Sequence, residues 1–266
     1  MTVSTILSEL ELESPLVGTT VTAHIKGTGP DGFTCAVYDA GSGRAWSALL
    51  LHADTYDLPE GTPPPPLAPG DTLIALVTGI AEGEREGAER LLLSVTSPEL
   101  VARILSGFVD EILTGKVVIK NVARVAGTKA KVAVAPTTLG VDARGACIGR
   151  GASRIKGAER LLNRAFGREK LEIIEYSSDR ATYLRNAMSP VSVTEVLVER
   201  DDAVVAVEEH QLSGGIGAGG LNAQLAGQLT GLYVQVVKAG TDLRKAMDRL
   251  KADQAAVAAS ASADEV

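Results

Sequence analysis

Two glycine-punctuated segments hold the residues with the clearest chemical use. Gly149-Arg150-Gly151-Ala152 and Gly217-Ala218-Gly219-Gly220 stand in the same frame, 68 residues apart, and each is followed by helix-forming sequence. Glycine removes the Cβ that would hold a ligand away from the main chain. The first turn of a helix leaves backbone N–H groups without intrahelical partners, and the helix dipole adds partial positive charge there. Such a place suits an anion, and a phosphodiester strand in particular. The first segment adds Arg150, Arg154 and Lys156 in or just past the loop. The second has no charged loop residue and enters its helix through Leu221 and Asn222.

The charge distribution points the same way. The chain carries a net charge of −7, but residues 1–100 sum to −10, residues 101–185 to +8 and residues 186–266 to −5. A basic middle between acidic ends is a localised footprint for a polyanion. Within 116–170 there are 13 basic and 3 acidic side chains, including Arg124, Lys129 and Lys131 on a strand pair. Lys129 and Lys131 fall on one strand face. Arg160 and Arg164 continue the basic series along the helix after the first loop. Phosphate contact is the preferred reading; pairing with Glu159, Glu169 or Glu172 on a solvated surface is the alternative.

Other chemistries are less well served. Gly215-Ile-Gly217-Ala-Gly-Gly220, with Asp242 beyond it, satisfies the dinucleotide-binding spacing. That fingerprint should follow a strand directly, and here polar residues 208–214 intervene with no further βαβ unit after them. His24, His52 and His210 are scattered, without cysteine or carboxylate at ligand spacing, so neither a metal nor another cofactor is expected. No nucleophile–histidine arrangement is legible, and the chain reads as no enzyme. Cys35 and Cys147 have neither CxxC spacing nor framework density, which suits core thiols in a reducing, cytoplasmic compartment. The longest apolar runs are too short to span a bilayer, and the start of the chain lacks the basic region of a signal peptide.

The elements that must position the loops form a multidomain α+β chain. Residues 15–97 alternate in period two through five short strands, 18–25, 33–38, 45–51, 72–80 and 90–94, with a proline-rich loop at 63–66. This pattern suits a Greek-key OB barrel. Phe33, Tyr38, Trp46 and Tyr56 are its candidates for base stacking, against the plainer reading as core. After Ser97, the spacing of Leu100, Ile104, Leu105, Phe108 and Ile112 predicts a helix. Strands follow at 116–124 and 128–135, then the first loop, a helix with Leu161, Leu162 and Phe166, and a strand at 171–176. The order recurs as a helix at 179–187, strands at 192–198 and 203–207, the second loop, a helix at 221–229 and a strand at 232–237. Residues 98–240 are thus an internal αββααβ duplication. The expected layout is a leader at 1–14, a barrel at 15–97, repeats at 98–177 and 178–240, and at 241–266 a helix decaying into a disordered tail.

Several stretches carry a specific resemblance. Residues 116–134 (KVVIKNVARVAGTKAKVAV), 141–148 (VDARGACI), 186–190 (NAMSP) and 209–231 (EHQLSGGIGAGGLNAQLAGQLTG) resemble the two KH domains of the NusA transcription factors. The preceding barrel, ending in LLLSVTSPEL, resembles that family's OB domain of the ribosomal-protein-S-one type. The resemblance implies two tandem type II KH domains that hold single-stranded RNA against their GXXG loops. It also implies a role in transcription elongation, termination or antitermination, with RNA polymerase or other transcription factors as further partners. The implied RNA-binding set is Gly149, Arg150, Gly151, Ala152, Arg154, Lys156, Arg124, Lys129, Lys131, Gly217, Ala218, Gly219, Gly220 and Asn222. Three features depart from the family: fourteen residues stand where its polymerase-binding domain is expected, Ala152 and the uncharged Ala218-Gly219 depart from a loop that is usually basic with both glycines, and the barrel is strongly acidic and poor in aromatics for stacking. They leave open an interaction scaffold with weak RNA binding.

Overall fold

The computed structural model describes residues 16–39, 41–55, 67–83, 88–164 and 168–263, with side chains described as far as Ala256. The leader, Tyr56, the 63–66 proline run and Phe166 lie outside the described residues. The described chain divides into two compact units. One comprises the residues up to Asp110 together with Arg124–Lys129 and Gly149–Lys170; the other comprises Glu111–Ala123, Ala130–Ile148 and the residues from Leu171 onward.

In the first unit, β1 (Thr20–Thr28), β2 (Gly32–Asp39), β3 (Arg44–Leu51), β4 (Thr72–Glu82) and β5 (Glu89–Ser94) close into a barrel in the order β1-β2-β3-β5-β4. All neighbours run antiparallel except β3 and β5, whose parallel pairing places Leu49 opposite Leu92. This order is OB-like, and the strand alternation explains it. Ala23, Ile25, Cys35, Val37, Ala48, Leu50, Leu73, Ala75, Leu91 and Leu93 all point inward and are buried. Phe33 and Trp46 join this core at 8% exposure each, and the Arg44 guanidinium lies 3.6 Å from the centre of the Trp46 ring. Neither offers a free face to a base, whereas Tyr38 is 64% exposed.

Two αββααβ repeats follow. The first runs α1 (Pro98–Ser106), α2 (Asp110–Leu113), β6 (Val117–Val125), β7 (Lys129–Pro136), α3 (Ala143–Ile148), α4 (Ser153–Leu162) and β8 (Lys170–Glu175). The helix expected through Ile112 is interrupted: the Gly107 amide donates to the Arg103 and Ile104 carbonyls and ends α1 before α2 begins. The second repeat runs α5 (Arg180–Ala187), β9 (Val193–Glu199), β10 (Asp202–Val207), α6 (Leu212–Ile216), α7 (Leu221–Thr230) and β11 (Tyr233–Lys238). Each repeat builds a three-stranded sheet with its second strand central, in the orders β6-β7-β8 and β11-β10-β9. β10 is antiparallel to β9 and parallel to β11.

Central strands are covered on both faces, so β10 buries Ala203 through Val207 without alternation. The closing helix α8 (Leu243–Ala263) packs Ala246 and Met247 on Val204, with Leu243 and Leu250 alongside. It runs to Ala263 through the alanine-rich stretch, consistent with the high helix propensity of alanine. No helix among the described residues is long and apolar enough to cross a membrane.

Candidate nucleic-acid interface

The two glycine loops have one backbone conformation. In the second, Gly217 adopts φ 82°, ψ 163°, Gly219 φ 61°, ψ 21° and Gly220 φ 81°, ψ 3°. In the first, Gly149 adopts φ 74°, ψ 166°, Gly151 φ 59°, ψ 25° and Ala152 φ 60°, ψ 28°. Each loop closes on itself, with Ala152 N donating to Gly149 O at 3.0 Å and Gly220 N to Gly217 O at 3.1 Å. Ala152 therefore holds the left-handed geometry of the glycine it replaces. That geometry costs an L-residue roughly 1–2 kcal/mol.

The glycines are required for two different reasons. A Cβ on Gly149 would lie 2.8 Å from Arg154 Cγ, and one on Gly217 would lie 2.5 Å from the Asn222 amide nitrogen. These two positions are tight because the chain returns across them. At Gly151, Gly219 and Gly220 a Cβ would meet nothing within 4 Å. There the positive φ alone selects glycine, and the outer side of the loop is open. No side chain caps α4 or α7, and of their first-turn amides those of Ser153 and Leu221 donate to the Arg150 and Ala218 carbonyls of the preceding turns.

The predicted basic residues separate into two groups. Arg150 and Lys156 are exposed and have no ion-pair partner among the described residues. Arg154 is half-buried against Gly149, with its guanidinium 3.9 Å from Asp110 Oδ2. Arg160 and Arg164 are exposed, and Lys129 is half-buried at the start of β7. Arg124 and Lys131 do not fit the expected phosphate contact. The Arg124 Nε and Nη2 donate to the two Glu169 carboxylate oxygens at 2.8 and 2.9 Å, and its Nη1 donates to Ser97 O at 2.7 Å. Glu169 also accepts from Gly127 N at 3.0 Å. Lys131 is fully buried and donates to Glu172 Oε2 at 2.6 Å and Ser189 O at 2.7 Å. Burial in a low-dielectric interior demands such pairing, and carboxylates close in space but 45 and 41 residues away in sequence supply it.

Asn222 is likewise a support rather than an outward-facing contact. It is 3% exposed, and its Nδ2 donates to Gly215 O at 3.2 Å and Met188 O at 3.3 Å. It thus ties the approach to the second loop to the end of α5. Asn222 and Arg154 occupy equivalent places, each five residues after the first glycine and each filling the space beneath it. Among the described residues, no cluster of three or more histidine, cysteine or acidic side chains could hold a metal.

Sequence reasoning passed over Asn163, which with Glu169 locks the end of α4. Asn163 Nδ2 donates to Glu169 O at 3.0 Å, and Glu169 N donates to Asn163 Oδ1 at 2.8 Å. The asparagine at the end of a helical run was the available signal.

Comparison with known proteins agrees with this geometry. Residues 95–176 match the NusA-like first KH domain, and residues 180–243 match the NusA-like second KH domain. Proteins called transcription termination/antitermination protein NusA are similar over the same part of the chain. That of Mycobacterium tuberculosis is 39% identical over 170 residues, covering 63% of this chain and 47% of the relative. That of Bacillus subtilis is 34% identical over 179 residues, covering 66% and 46%. That of Thermus thermophilus is 39% identical over 168 residues, covering 62% and 42%. The chain thus matches less than half the length of these curated relatives.

Proposed function

From the premise that residues 95–176 and 180–243 of this chain are NusA-like KH domains in tandem, we propose that it binds single-stranded RNA. The two loops take the sugar–phosphate backbone. The observation that carries this reading is their shared conformation, with uncapped helix starts beside open glycines. KH loops of this kind clamp about four nucleotides of backbone. The first domain supplies most of the electrostatic attraction through Arg150, Arg154 and Lys156, and the second supplies backbone fit. Lys129 and Ala218 flank these contacts. Arg124, Lys131 and Asn222 hold the elements that present the loops.

On this reading the barrel spans 15–97 and the repeats span 98–177 and 178–240. The protein modulates transcription elongation, termination or antitermination without enzymatic activity, in contact with RNA polymerase or other transcription factors. The names of the relatives and the domain pair support this role. A cytoplasmic location follows from it.

The test is binding of an unstructured RNA at low and moderate salt, with wild type compared with Gly151→Asp/Gly219→Asp. Aspartate is tolerated at positive φ better than most residues, and its Cβ meets open space at both positions. Its charge falls where a phosphate should lie. Strong loss of affinity with an intact fold is expected. An affinity equal to wild type would show both loops idle and favour a protein-interaction scaffold.

A further inference from the structure

A cavity of about 280 Å³ opens between β8 and the segment that joins α5 to β9, with Arg144, Glu175, Arg185, Asn186, Pro190 and Ser192 on its wall. This size is just below the usual range for a small-molecule pocket. Its two arginines come from different repeats, and each is held by one main-chain carbonyl. Arg144 Nε donates to Ile173 O at 3.2 Å, and Arg185 Nη1 donates to Val193 O at 2.6 Å. A guanidinium has five N–H donors, so each of these contacts leaves most of the fork available while fixing its stem. Pre-organised arginine forks match the oxygens of a phosphate better than those of a neutral ligand.

The lining residues are linked to the segments that lead into the loops. Arg144 sits on α3, five residues before Gly149. On the other side, Ser192 N donates to Gln211 Oε1 at 3.1 Å, and Gln211 directly precedes α6, the helix that leads into Gly217. Val191 packs toward Gly214 on the same helix, 3.4 Å from where a Cβ would be. A strand that engages the second loop therefore has a basic anchor in the same unit.

We infer that this cavity binds a phosphate of the RNA strand, held jointly by Arg144 of the first repeat and Arg185 of the second. The inference rests on the single-stranded RNA reading above and adds a subsite to it. Glu175, on the same wall, opposes the anion and sets how strongly it is held. The Asn186 amide, tied to Glu175 O at 2.9 Å, fixes that wall.

The full chain is titrated with an unstructured 12-nucleotide RNA over a salt series, as wild type, Arg144→Gln/Arg185→Gln, Arg144→Lys/Arg185→Lys and Glu175→Gln. The glutamine pair is expected to bind about tenfold more weakly. Its slope of log affinity against log salt should fall by ~0.7, one phosphate contact on a single strand. Glu175→Gln should bind more tightly, a change that a purely structural role for the arginines does not produce. The lysine pair keeps the charge and should retain the slope while losing affinity. If the glutamine pair fails to fold, the lysine pair decides, and wild-type affinity in it overturns the inference. Unchanged affinity and slope in a folded glutamine pair, with wild type binding RNA, also overturns the inference and leaves the loop reading standing. No binding by wild type overturns the loop reading itself.

Discussion

The Arg124 guanidinium and the Glu169 carboxylate meet in two parallel hydrogen bonds of 2.8 and 2.9 Å, with side-chain exposures of 4% and 2%. The pair joins β6 to the end of the α4–β8 connection. It also reaches Ser97, whose hydroxyl caps α1, and Gly127 in the β6–β7 turn. A cation counted by sequence among the RNA contacts is thus a fastener of the fold.

Removing one partner leaves the other charge buried without a counterion. Glu169→Ala should destabilise the protein by about 3–5 kcal/mol, read by urea or thermal unfolding. Exchanging the pair for apolar residues of similar volume should cost much less. If Glu169→Ala unfolds at the wild-type denaturant concentration, the buried pair is not the fastener described here.

The exposed cations should behave in the opposite way. Replacing Arg150 and Lys156 with glutamine should leave the unfolding midpoint close to wild type, because surface charges contribute little to stability. It should flatten the salt dependence of RNA binding by up to ~1.4 units, at ~0.7 for each phosphate contact. Arg154 is left in place, since it fills the space beneath Gly149 and is drawn toward Asp110. A slope identical to wild type would remove the first loop from the interface.

Ala152 gives a prediction of the opposite sign from most substitutions. Its φ of 60° is the geometry that Gly220 adopts without strain in the other repeat. Ala152→Gly should therefore stabilise the first repeat by up to about 1 kcal/mol, after allowing for the greater freedom of glycine in the unfolded chain. Thermal unfolding checks the sign, and a clear loss of stability would refute the strain argument.

Cys35 supplies a pH dependence. Burial pushes its thiol up from 9.0 to about 11, only partly opposed by a backbone hydrogen bond from Leu50. The unfolded chain then loses this proton first, so the stabilisation is complete below about pH 9 and is lost as pH rises toward 11. Since the thiolate is the reactive form and Cys147 is also fully buried, neither thiol should react with an aromatic disulfide reagent at pH 8 until denaturant is added. Rapid labelling of the native protein would contradict the buried placement of both.

Periodicity and punctuation in the sequence determined the barrel strands, the duplicated αββααβ order and the position of both loops. These signals are local: a two-residue period, a helical spacing and a glycine required by backbone geometry. They reached as far as Ala152, where an alanine in a glycine frame marked the first loop as altered. Tertiary structure alone decided which cations are available. Arg124, Lys129, Lys131, Arg150 and Lys156 look alike as letters. Carboxylates more than forty residues away claim Arg124 and Lys131, while Arg150 and Lys156 stay in solvent. The cavity that brings Arg144 to Arg185 has the same origin, since the two are 41 positions apart and meet through the packing of one repeat on the next. Electrostatic roles depend on distance and burial, and a linear pattern encodes neither for residues on different elements.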